Sequence, residues 1–75
     1  MPKQYKKNTT KSDLTKRELE VLKRTTQGIS SLEIGQVLNV SQNTIEAHRK
    51  SILKKLVAKN MVEAIATAFR DGLIQ

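Results

Sequence analysis

The sequence predicts an all-α fold, four short helices behind a basic N-terminal arm. Three observations carry that prediction. Apolar residues between Leu14 and Ile74 recur at helical spacing, three and four residues apart, and do not alternate as in a strand. Thr15, Ser30, Ser41 and Asn60 each stand just before such a run, where a side-chain oxygen can accept from the first turn's orphan amides. Gly28, Asn39 and Gly72 stand where runs stop, and these residue types tolerate the left-handed backbone that closes many helices.

Residues 1–13 form the arm. They carry Lys3, Lys6, Lys7 and Lys11 and little that could be buried, so the arm is read as disordered. Its expected role is weak attraction to phosphate; an idle solubilising tail, a minor-groove reader and a linker remnant are the other readings. Residues 14–75 form the domain. In the first helix Thr15 and Glu18 make a capping box, and Leu14 with Leu19 a hydrophobic staple. Its inner stripe is read as Leu19, Leu22 and Thr26, widened by Val21. Ser30 and Glu33 repeat the capping box for the second helix, 31–38, with Ile29 and Ile34 as its staple and Ile34, Val37 and Leu38 as its inner residues.

The third helix, 42–56, organises the rest. Ser41 caps it, and Val40 and Ile45 staple it. Ile45, Ile52 and Leu56 fall on one stripe, flanked by His48 and Leu53. The opposite side carries Asn43, Glu46, Ala47, Lys50 and Lys54. Arg49 lies nearer the apolar edge, where its stem can pack while its guanidinium reaches solvent or phosphate. Between the second and third helices there is room only for a tight turn at Asn39 and Val40. Gly35 costs about 1 kcal/mol against Ala inside a helix, which makes sense if two backbones approach closely there. Such an approach is what a helix-turn-helix requires. Beyond the connector 57–59, Asn60 caps a fourth helix, 61–70, with Glu63 at the capping-box position. That helix is apolar on more than one side. One side completes the core, and the excess suggests a second copy as partner. Leu73 and Ile74 are expected to fold back on the core.

At 75 residues the chain makes one domain, near the lower limit for a self-sufficient core. It has no cysteine, which excludes disulfides and thiolate metal sites. No apolar run approaches a membrane span, and no signal-peptide segment opens the sequence; a cytoplasmic, nucleoid-associated protein is expected, with no membrane partner. A net charge of +7 and a pI near 10.1 point to polyanions. With only Tyr5 and Phe69 aromatic, stacking on single strands is disfavoured and double-stranded DNA is the expected partner. His48 is the only histidine, so no metal set or cofactor site is expected. Glu18, Glu33 and Glu63 are taken up by caps, and an enzyme is not expected.

Leu14-Thr15-Lys16-Arg17-Glu18-Leu19-Glu20-Val21-Leu22, Gly28, Glu33-Ile34, Leu38-Asn39-Val40-Ser41-Gln42-Asn43-Thr44-Ile45, His48 and Lys55-Leu56 together resemble the LuxR-type, or GerE-type, helix-turn-helix domain. The resemblance covers about Leu14 to Ile74. It implies a four-helix DNA-binding domain of bacterial transcription control, usually homodimeric. The chain is similar to the small members that consist of little else, and a Met-initiated excised fragment would look the same. Carried over by position, the base-reading face falls on Glu46, Ala47 and Lys50, and Thr44 is similar to a phosphate contact. Gln42, Asn43, Arg49 and Lys54 are further candidates for backbone contact. The dimerising helix corresponds to 61–70, with Met61, Val62, Ala66 and Phe69 as candidates. Three departures stand out. Gly35 replaces a common Ala, which should loosen the second helix. Val57 replaces a usual Gly and Met61 a common Arg, which bear on the connector. Glu46 stands where a basic residue is frequent.

Two other classes of function compete. One is a protein–protein adaptor of the transcription machinery, with RNA polymerase or another regulator on its fourth helix and a vestigial DNA surface. The other is charge-driven packing of nucleic acid. A regulator should favour its site over random duplex by about 10³-fold or more; a packing protein shows no such ratio, and an adaptor hardly binds DNA.

Overall fold

The computed structural model describes residues 14–75, so the expected arm at 1–13 lies outside the described residues. Four helices follow in order: α1, Lys16–Thr26; α2, Ser31–Leu38; α3, Gln42–Lys55; and α4, Met61–Arg70. Each begins at an expected cap. Thr15 with Glu18 and Ser30 with Glu33 close full capping boxes. Ser41 accepts from the Thr44 amide at 3.1 Å, and Asn60 from the Glu63 amide at 2.9 Å. Glu63 departs from the capping-box expectation: its carboxylate accepts from the Lys59 amide at 2.6 Å, one residue before the cap.

One motif closes all four helices. The amide five positions further along the chain returns to the first carbonyl of the closing turn, as Ile29 to Arg24, Val40 to Gly35, Ala58 to Leu53 and Leu73 to Ala68. The residue before each donor has positive φ: Gly28, Asn39, Val57 and Gly72. This is the Schellman arrangement, completed by an apolar residue after the left-handed one. Ile29, Val40, Ala58 and Leu73 fill that place, all half-buried against the core. Leu56 caps α3, which therefore ends one residue earlier than expected.

The core is Val21 and Leu22 of α1, Ile34 of α2, Ile45 and Ile52 of α3 and Ala64 and Ala68 of α4, closed by Leu14, Leu56 and Ile74. Ile74 and Leu73 fold back as expected. Two assignments need correction. Thr26 and Val37 are exposed, not inner. The face α1 buries runs Glu18, Val21, Leu22 with Thr25 half-buried, and that of α2 runs Ser31, Ile34, Gly35 with Leu38 half-buried. Both share residues with the stripe that hydrophobicity alone selects but are rotated from it by a fraction of a turn, because a carboxylate, a serine and a glycine occupy inward positions. Gly35 meets the turn directly: a Cβ there would lie 2.7 Å from the Val40 carbonyl oxygen. The close backbone approach expected at Gly35 is present, and the missing side chain is what lets α2 and the turn into α3 touch. No described helix is long and apolar enough to cross a membrane.

Candidate nucleic-acid interface

On α3, Ile45, Ile52 and Leu56 point into the core. Directly opposite, at 100° per residue, Asn43, Ala47, Lys50 and Lys54 form a stripe at i, i+4, i+7 and i+11, and all four are exposed. Glu46 and Gln42 are exposed along one edge of this stripe and Thr44 along the other. The structure thus gathers the expected base-facing residues Glu46, Ala47 and Lys50 with four of the five candidate backbone contacts on one open surface. Thr44 is held by its neighbour, with 2.9 Å between its hydroxyl and that of Ser41. The first turn of α3 has no acid and its last turn carries Lys54 and Lys55, so an approaching phosphate meets no carboxylate at the helix start.

Arg49 is placed differently. Its side chain is only 24% exposed; Nη1 donates to the Thr25 hydroxyl of α1 at 3.3 Å, and Nε stands 3.9 Å from Glu46 Oε1. Glu46 therefore pairs with the residue three positions on, and not with Lys50 one turn along the exposed face.

A second polar link, not foreseen from the sequence, ties α3 to α1. Glu18 is 5% exposed. Its Oε1 accepts from Lys55 Nζ at 2.8 Å and from the Thr15 amide at 3.0 Å, and its Oε2 from the Ser51 hydroxyl at 2.6 Å. Burial alone would raise the carboxyl, but the bonds from Lys55, Ser51 and Thr15 outweigh it and hold Glu18 below the usual carboxylate value. Ser51 and Lys55 lie to one side of the apolar stripe of α3 and Arg49 to the other. The outward helix is thus tied to α1 along both margins of its buried face. The signal in the sequence was the spacing Glu18, Val21, Leu22, Thr25 on one face.

On α4, Ala64 and Ala68 face the core while Met61 and Ile65 are half-buried against it. Val62, Ala66 and Phe69, at i, i+4 and i+7, stand outside, Val62 being 78% and Phe69 48% exposed. Of the four candidate dimer residues, Met61 alone is turned towards the core.

A short helix, a turn closed by one left-handed asparagine, and a longer basic helix with its polar stripe clear of the core define a helix-turn-helix domain. The chain belongs to the luxR family of bacterial regulatory proteins, which residues 12–68 match. It is 46% identical over 61 residues to the transcriptional activator protein SolR of Ralstonia solanacearum, covering 81% of this chain and 26% of that protein. To the regulatory protein SdiA of Escherichia coli it is 38% identical over 66 residues, 88% of this chain and 28% of the relative. To the nitrate/nitrite response regulator protein NarP of Escherichia coli it is 43% identical over 53 residues, 71% and 25% of the two chains. The chain spans about a quarter of the length of these relatives.

Proposed function

We propose that this chain binds double-stranded DNA sequence-specifically and regulates transcription, acting in the cytoplasm as a homodimer. The observation that carries the reading is the outward stripe of α3, polar and basic, diametrically opposite the stripe that holds it in the core. A helix so mounted fits the major groove, where base edges differ for every pair. Lys50 reaches towards guanine O6 and N7, Ala47 towards a thymine methyl, and Glu46 towards a cytosine amino group. Gln42, Asn43, Thr44 and Lys54 fix the helix on the phosphates. The relatives named as an activator and as a response regulator support the regulatory part of the reading.

The exposed stripe Val62, Ala66 and Phe69 supplies the contact with the second copy, with Met61 at its core-side edge. Two α3 helices then meet half-sites about 34 Å apart or a multiple of that.

Titration of wild type and Lys50→Ala against a selected duplex and its single-pair variants tests this. Lys50→Ala should relax preference at one position, at a cost of about 1–3 kcal/mol. An equal loss on every duplex would make Lys50 a phosphate contact only, and base reading by this face would be wrong.

A further inference from the structure

We propose that Thr25 and Arg49 act as positioning residues for base reading by Glu46, so that part of the specificity of α3 is written in α1. The inference rests on the reading of α3 as the groove helix and assigns a new role to a residue outside it. Four observations lead there. The Thr25 hydroxyl donates to the Val21 carbonyl at 2.9 Å, which leaves its lone pairs for a donor from α3. Arg49 Nη1 is that donor at 3.3 Å, and Arg49 Nε faces Glu46 Oε1 at 3.9 Å. Arg49 is mostly covered while the Glu46 side chain is half exposed, at 24% and 50%. The guanidinium therefore sits behind the carboxylate, on its α1 side. Finally, α1 cannot slide freely beneath this contact, because Glu18 binds Ser51 and Lys55 on the far margin of α3.

The chemistry gives this arrangement a purpose. A lone glutamate facing a groove is repelled by phosphate and samples several rotamers. A guanidinium behind it offsets the charge and narrows the rotamers before DNA arrives, which lowers the ordering cost on binding. The planar fork of arginine can hold Thr25 and Glu46 at once, whereas a lysine ammonium would not fix both directions. The rival role for Arg49 is a phosphate contact, which would require it to leave Thr25 and Glu46. The two roles differ in what they do to salt dependence and to base preference.

The test uses the full chain and a duplex selected by the wild type. Glu46→Gln first identifies the base pair whose preference depends on the carboxylate. Thr25→Val keeps the shape of the side chain and removes the hydroxyl. It should lower preference at that same pair by about fivefold or more and leave the salt slope unchanged, and Thr25→Ser should restore the preference. Arg49→Gln, read in α3 itself, should lose the same preference with a salt slope within about half a unit of wild type, whereas Lys54→Ala should lower the slope by about one. Preference retained in both Thr25→Val and Arg49→Gln would overturn the proposal. So would an even loss on all duplexes with Arg49→Gln lowering the slope by about one, since Arg49 would then be a phosphate contact. A Glu46→Gln protein with unchanged preference at every pair would overturn it too. If the wild type itself prefers no sequence, the groove-reading assignment fails, and this inference falls with it by a result separate from the others.

Discussion

Among the described residues Val57 is the one non-glycine, non-asparagine residue in a left-handed closing position, at φ 53°. A branched Cβ there costs about 1–2 kcal/mol, and with 89% of the residue exposed no packing within the domain offsets it. Val57→Gly should therefore raise stability by a net of about 0.5–1 kcal/mol, the gain being reduced by the greater freedom of glycine in the unfolded chain. Thermal unfolding would show this as a rise of a few degrees; a fall would mean that the valine side chain makes a contact the monomer does not contain. Glu18 gives a pH prediction of definite sign. Its folded pKa is depressed, so its contribution is complete above the ordinary carboxylate range and is lost as pH falls through the lower folded value. Glu18→Gln should cost about 1–3 kcal/mol at neutral pH, and denaturant midpoints across pH should show a shallower acid limb than wild type. An unchanged acid limb would show that Glu18 is no better solvated by its partners than in the unfolded chain. Glu18 and Arg49 also mark where sequence reading stopped. A capping box explained Glu18 locally, so its second set of partners 33 and 37 residues away had no local signature. Arg49 was legible as an edge residue, but Thr25 was not legible as its partner.

At the scale of the helices, starts and stops were more legible than faces. Caps, staples and left-handed closers act within a few residues, and all four N-caps and the ends of α2 and α4 stand where the sequence put them. The phase of α1 and α2 depends on what they pack against. There Glu18 and Ser31 point inward although nothing in their polarity marks them as core, whereas the small size of Gly35 did point to a close approach. Gly35 carries the element-scale prediction. Alanine would gain about 1 kcal/mol of helix propensity, but its Cβ meets backbone at 2.7 Å and cannot be relieved by turning a side chain. Overpacking of this kind costs about 1–3 kcal/mol. Gly35→Ala should thus be net destabilising, and should weaken binding to the selected duplex more than to random DNA, because the α2–α3 turn that aims the helix must open. A stabilised protein with unaltered specificity would show that the turn yields freely, and that the resemblance to alanine-bearing members was the better guide.

For the whole molecule, the exposed stripe of α4 and the outward stripe of α3 serve the proposed dimer together. A single groove helix reads few base pairs, and a second copy doubles the site. Val62→Glu or Ala66→Glu should weaken self-association and reduce binding to a palindrome more than to an isolated half-site; sedimentation of both variants with and without DNA checks this. Met61→Glu is a poor substitute, since that residue packs on the core. Whether α3 reads duplex sequence is decided by selection of bound duplexes from a random library with the wild-type chain. One motif should be enriched, with two half-sites about one helical turn or a multiple apart and a preference over random duplex of about 10³-fold or more. A library that returns unenriched, or bound in proportion to charge alone, would contradict it.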